Sequence, residues 1–228
     1  MNNYNILFIS PHLDDAIYSC SQLIRYMKNN NRILVVSIFT QYNNKNKNVF
    51  TNGEKRFQED KDAMESIGID KLYLNYPELM IRNNINDYSL YHQIIEPIKT
   101  LFYCKNDNYL TYSINYDIQK IIDEHNIEEV FFPAGIGFHP DHILTYRSCY
   151  NLKNVKLLVY EDFPYCINNI YRFLRIPFIN VRPHSIVKVS ESLKKSDIMK
   201  YESQYKIIFE NIDLEKILQS YYEKYYYV

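Results

Sequence analysis

The stretch "ILFISPHLDDAIYSC", residues 6–20, packs a strand, a turn and the start of a helix into a short span. Ile6, Leu7, Phe8 and Ile9 form an apolar run that stops at Ser10, and Pro11, His12, Asp14 and Asp15 follow at once. Apolar residues then resume at helical intervals, with Ile17, Leu23, Ile24 and Met27 on one side. A hydrophobic strand that ends in crowded ionisable side chains needs a reason, because desolvating charge is costly. Two readings fit. Asp14 caps the helix, a position that aspartate favours, or the segment is half of a metal site.

Outward from this stretch, short apolar runs keep alternating with longer amphipathic ones. Strands are predicted at residues 5–10, 32–39, 71–74, 129–133, 155–160 and near 186–189. Helices are predicted at 14–28, 54–67, 112–126, about 142–151, about 191–209 and 213–225. The run "RILVVSIF" is continuously apolar, as a strand buried on both faces would be. Gly68 stops the second helix, residues 43–48 read as a polar surface loop, and Pro97 interrupts a helical pattern within 75–110. The terminal "YYEKYYYV" reads as part of a helix that packs its tyrosines on the body. This alternation predicts βαβ units, hence an α/β class: a single Rossmann-like domain with a mostly parallel sheet flanked by helices. Its core spans about 5–160, with a C-terminal helical extension at about 190–228, and no linker or repeat marks a second domain.

The totals exclude several classes of partner. A net charge of -1 offers no basic field for nucleic acid or an acidic membrane. No apolar stretch reaches the length of a membrane span. The start "MNNYNILFIS" lacks the features of a secretory signal, so a cytoplasmic location is expected. Cys20, Cys104, Cys149 and Cys166 form no C-x-x-C pair, which argues against a cysteine-rich zinc module and for buried free thiols. With only 4 glycines, each invites a backbone reason.

A second cluster lies in "FFPAGIGFHPDHILTY", residues 131–146, where another strand ends at a proline and His139, Asp141 and His142 precede a helix. Ligands collect at the carboxyl ends of strands in such sheets, so the two loops meet at one edge. Imidazole and carboxylate without thiolate make a set suited to zinc or iron(II). A catalytic zinc site uses three protein ligands and leaves a position for water. A cap or a surface turn explains either cluster alone; both together, each after a strand, favour a metal site.

"PHLDD" and "HPDH" resemble the two defining motifs, P-H-x-D-D and H-x-x-H, of the PIG-L / LmbE-like zinc-dependent N-deacetylases. "RFQEDKDAMESIGI", residues 56–69, is similar to that family's R-x-x-E-D-x-x-A-x-x-x-L-G segment, with Arg56, Glu59, Asp60, Ala63 and Gly68 in register. "YEDFPY" at 160–165 and "KYESQY" at 200–205 resemble later landmarks. The resemblance implies zinc, with iron(II) as the other candidate, held by His12, Asp15 and His142. It implies Asp14 as general base, a protonated His139 supporting the oxyanion, and Arg56 reaching the substrate. Arg56 has an equal alternative, a structural salt bridge to Glu59 or Asp60; "YEDFPY" shapes the pocket rim or packs in the core. Leu13 and Ala16 replace the family's frequent proline and glutamate, and Ser21 and Gln22 replace a frequent Gly-Gly pair.

The implied activity is removal of the acetyl group from an N-acetylglucosamine-type sugar or conjugate. The alternatives are a metal-dependent hydrolase of a small non-sugar acyl amine and a non-catalytic sugar-binding relative. A small amino-sugar substrate is the expected partner, with no nucleic acid and no membrane span; self-association, common in the family, is compatible. His92 and His125 fall in predicted helices as structural or surface residues. His184 sits in an irregular segment, where a structural role outweighs an approach to the pocket.

Overall fold

Residues 4–42, 53–82, 107–210 and 212–228 are described by a computed structural model. The polar loop read at 43–48, the pattern interrupted by Pro97, His92 and Cys104 lie outside the described residues. Strands β1 (Ile6–Ser10), β2 (Ile33–Gln41), β3 (Asp70–Pro77), β4 (Glu129–Pro133) and β5 (Lys156–Tyr160) pair in parallel. Strands β6 (Arg182–Lys188) and β7 (Tyr222–Tyr227) add antiparallel, giving the order β3-β2-β1-β4-β5-β7-β6. Successive parallel strands run outward from β1 on one side and from β4 on the other. The direction of winding therefore reverses between β1 and β4, which is where an open α/β sheet leaves a crevice at its carboxyl edge.

Each parallel strand is joined to the next through helix. α1 (Asp15–Met27), α2 (Gly53–Ile67), α3 (Leu79–Arg82), α4 (Asn108–His125) and α5 (Pro140–Cys149) alternate with β1 to β5. Every residue of β1 and all but the last of β2 are buried, as strands covered on both faces must be. Across the switch, Phe8 of β1 stacks on Phe131 of β4 with ring centroids 4.6 Å apart. The hydroxyl of buried Tyr160 donates to the Ile9 carbonyl at 2.8 Å, tying β5 back to β1. Cys20, Cys149 and Cys166 are buried free thiols. Among the described residues no helix is long and apolar enough to cross a membrane.

The C-terminal third departs from the expected helices. α6 (Asn169–Arg175) precedes β6, and the helix expected over 191–209 is two, α7 (Glu191–Met199) and α8 (Glu202–Ile208), broken at the buried Tyr201. The helix expected over 213–225 is only α9 (Leu214–Leu218), after which the chain turns into β7. Tyr221, Tyr222, Tyr225 and Tyr226 recur at spacings that also fit a helix, which is why the tail imitates one. Pairing decides otherwise: β7 hydrogen-bonds to β5 on one side and to β6 on the other, and tyrosine suits a half-buried strand. The extension at 190–228 is thus mixed helix and strand, and it completes the sheet.

Candidate active site

The turn after β1 builds the first wall. The Ser10 hydroxyl accepts from the backbone N–H of Ala16 at 2.9 Å, and the His12 backbone N–H donates to Asp15 Oδ2 at 2.8 Å. Two donors at the start of α1 or just before it are thereby met without Asp14. Asp14 occupies the N-cap position, but its side chain makes no capping hydrogen bond. It faces Arg56 instead, whose Nη2 lies 3.5 Å from Asp14 Oδ1. The capping reading of Asp14 therefore falls.

The loop after β4 builds the opposite wall. Gly137 takes φ of 90°, and a Cβ there would come within 2.5 Å of the Tyr165 ring, so glycine is required. Phe138 follows in the left-handed region at φ 60°, and His139 then caps α5, with Pro140 at the first helical position. His139 Nδ1 accepts from the Asp141 N–H at 3.2 Å, which assigns the ring proton to Nε2.

Across the crevice the ring centroids of His12, His139 and His142 lie 5.0, 5.5 and 5.2 Å apart. His12 Nδ1 is 3.0 Å and His142 Nε2 is 3.3 Å from the same oxygen, Asp15 Oδ2. The far nitrogens are held too: His12 Nε2 by Asp141 Oδ2 at 3.0 Å, and His142 Nδ1 by Asp162 Oδ1 at 2.7 Å. Asp162 is fixed in turn by the Ile136 N–H at 2.9 Å. Donor atoms of His12, Asp15 and His142 fall within 4.8 Å of one another, as do those of His12, His139 and Asp141.

Burial and charge oppose each other throughout. Burial alone would lower the proton affinity of His12, but its bonds to Asp141 and Asp15 outweigh burial and raise its pKa to about 9. His142 is raised in the same sense by Asp15 and Asp162, against burial. Burial, the largest cause, lowers the proton affinity of His139 well below the usual imidazole value, with the charges of His12 and His142 adding to it and Asp141 and Asp15 opposing it. Burial would raise Asp15, but His142 and His12 hold it well below the usual carboxylate range. Asp14 is raised to about 6 by burial and by the neighbouring Asp15 charge, with Arg56 and His12 pulling it down.

All six residues singled out from the sequence, His12, Asp14, Asp15, Arg56, His139 and His142, converge on this crevice. Arg56 pairs with neither of its expected salt-bridge partners. Its Nη1 lies 3.7 Å from Glu78 and its guanidinium 4.7 Å over the Tyr42 ring. Glu59 instead accepts from the Ser203 N–H at 2.9 Å, and Asp60 from the Tyr201 hydroxyl at 2.8 Å. The motifs at 56–69 and 200–205 thus pack against each other. His184 packs its ring, tilted by 37°, against that of Tyr227 with centroids 3.9 Å apart, on exposed β6 at the far edge of the sheet.

Sequence reading missed the supporting roles of Glu78, Asp141, Asp162 and Arg82. The first three had a signal, since each follows a parallel strand at the same edge that marked His12 and His142. Arg82 had none; its role depends on tertiary neighbours alone.

No curated protein matches the chain significantly. Among solved structures, a deacetylase of the teicoplanin biosynthesis pathway aligns at a TM-score of 0.74 and 22% identity, covering 98% of this chain and 97% of its own. The zinc inhibited form of teicoplanin deacetylase aligns at 0.73 and 22%, with the same coverage. The N,N'-diacetylchitobiose deacetylase from Pyrococcus horikoshii aligns at 0.62 and 16%, covering 100% of this chain and 84% of its own. At these identities the structures share the fold. The family model of the GlcNAc-PI de-N-acetylases matches residues 7–153, more than half the chain and all of the crevice walls up to α5. The protein belongs to the PIG-L family of GlcNAc-PI de-N-acetylases.

Proposed function

We propose that the protein is a metal-dependent N-deacetylase that hydrolyses the acetamide of an N-acetylglucosamine-type sugar or sugar conjugate. One observation carries this reading: the adjacent aspartates face different partners, Asp15 between His12 and His142, and Asp14 toward Arg56. Two imidazoles and a carboxylate match the three protein ligands of a catalytic zinc site. The carboxylates around them also favour positive charge at this point, as the raised proton affinities of His12 and His142 indicate. Asp141 and Asp162 on the far ring nitrogens would fix tautomer and orientation, as partners of metal-bound histidines do. The donor set therefore fits zinc or iron(II), held by His12, Asp15 and His142. Such an ion supplies Lewis acidity, which a poor amide electrophile and a weakly acidic water both need.

The remaining steps belong to the chain. Asp14, ionised and held by Arg56, accepts the proton of the attacking water as its oxygen bonds to the acyl carbon. The C–N bond then breaks, and Asp14 returns the proton to the departing amine. Neutral His139 donates through Nε2–H to the acyl oxygen as negative charge develops there, an effect worth ~3 kcal/mol where such donors are preorganised. Arg56, with Glu78 beside it, lies within reach of sugar hydroxyls at the same edge.

The relatives named above are deacetylases of a chitobiose and of a teicoplanin pathway, which supports an amino-sugar acceptor. The test is acetate release by chelator-stripped protein reloaded with zinc or iron(II). Suitable amides are N-acetylglucosamine, N,N'-diacetylchitobiose, GlcNAc-PI and simple non-sugar acetamides. Release from an amino sugar by the loaded protein alone is expected. Release confined to non-sugar amides would replace the sugar reading, and metal binding without any release would leave a binding protein.

A further inference from the structure

Two overlapping donor groups share His12: His12, Asp15 and His142 on one side, and His12, His139 and Asp141 on the other. His12 cannot serve both as a neutral ligand, because each group meets a different ring nitrogen. Something must decide between them. Asp15 Oδ2 is met by two imidazoles and the His12 N–H, with no fixed positive charge against it among the described residues, whereas Asp141 faces the permanent charge of an arginine. The Leu79 N–H, at the start of α3, donates to Asp141 Oδ2 at 3.0 Å. At the end of the same short turn, Arg82 Nη2 lies 2.7 Å from Asp141 Oδ1. α3 therefore holds one carboxylate oxygen by a backbone hydrogen bond and sets a fixed positive charge against the other.

Arg82 is itself anchored on several sides. Its Nε pairs with Asp107 Oδ2 at 3.1 Å, its Nη1 donates to the Pro77 carbonyl at 2.8 Å, and its guanidinium lies 5.1 Å over the Phe39 ring. A planar guanidinium can make these bonds at once, and a lysine ammonium cannot.

We propose that Arg82 is a positioning residue that selects the metal triad: it holds Asp141 as a hydrogen-bond acceptor for His12 Nε2, which leaves Nδ1 to join Asp15 and His142. This rests on the metal reading above. The charge of Arg82 repels a cation from Asp141, and the fixed carboxylate turns the His12 ring. Without Arg82, Asp141 keeps the Leu79 N–H but loses its fixed countercharge beside His12 and His139, and a cation divides between the two groups.

The test is cobalt(II) titration of chelator-stripped protein, reading affinity, stoichiometry and the visible ligand-field spectrum. Wild type is expected to take one ion with one spectrum. Arg82→Gln should weaken that ion by about 10- to 100-fold, the usual effect of losing an outer partner of a metal-bound histidine, and add a second spectral component. That component should vanish in Arg82→Gln with Asp141→Asn. Arg82→Lys should recover only part of the affinity. Asp107→Asn, which loosens the arginine from outside and spares the fold if Arg82→Gln does not, should shift the affinity in the same direction by less. A wild-type spectrum and affinity in Arg82→Gln, or in Asp107→Asn if that is the variant that folds, overturns the proposal. If wild type itself binds no cobalt or zinc, the metal reading fails, and this inference with it.

Discussion

At the residue scale, the catalytic proposal turns on Asp14 being an ionised carboxylate that holds no metal. Burial and the charge of Asp15 push its pKa up to about 6, while Arg56 at 3.5 Å and His12 pull it down. Replacing Asp14 with Asn keeps the shape and removes the base. Acetate release should fall by about 10²- to 10⁴-fold, the usual worth of a positioned acid–base group, while zinc remains bound by mass spectrometry. Loss of zinc together with activity would make Asp14 a ligand instead. Arg56→Gln removes a charge that favours the carboxylate, so the pKa of Asp14 must rise. A base works only when ionised, so the acid limb of kcat/KM against pH should move to higher pH. A limb that stays in place would leave Arg56 with substrate contact alone. Sequence made Asp14 legible by its place after a strand and Arg56 by its motif. It did not reveal that they touch, because 42 positions separate them.

Elements explain what periodicity missed. The tail reads as a helix because its tyrosines recur at helical spacings, yet β7 forms because two strands are there to pair with it. Glu223 shows the consequence. In an isolated strand it would be a solvated acid; here it is 2% exposed and pairs at 2.5 Å with Lys194 of α7, which is 0% exposed. The same carboxylate accepts from the backbone N–H groups of Gln22 and Leu23 in α1 at 3.1 and 2.8 Å. One side chain thus fastens β7 and α7 to the helix whose first turn carries Asp15. Glu223→Gln should destabilise the fold by about 3–5 kcal/mol, since it leaves Lys194 charged and buried without a countercharge, with the Ile17 carbonyl as its remaining acceptor. Urea unfolding checks this, and a change under 1 kcal/mol would show that Lys194 finds water or another partner. Such a pair is invisible in sequence: neither residue lies in a motif, and 29 positions separate them.

For the whole molecule, the parallel half of the sheet was legible because buried strands and intervening helices differ in length and pattern. The crevice followed from the rule that ligands gather where winding reverses. That placement has a thermodynamic consequence, since the proposed ligands come from opposite walls: His12 and Asp15 after β1, and His142 from α5. In the unfolded chain they are far apart, so an ion binds the native state and stabilises it by mass action. At a free concentration of 100 times Kd this amounts to about 2.7 kcal/mol. For a domain of this size each kcal/mol moves the midpoint by about 2–4 °C, so zinc should raise the melting temperature of stripped protein by roughly 5–11 °C. Asp15→Asn should abolish the zinc-dependent part of the shift, because it removes the oxygen that both histidines face. Asp14→Asn should retain it. Calorimetry of the two variants, with zinc and with chelator, separates ligand from base without an activity assay. Equal loss in both would mean that the adjacent aspartates act as one site, and the division of labour would have to be abandoned.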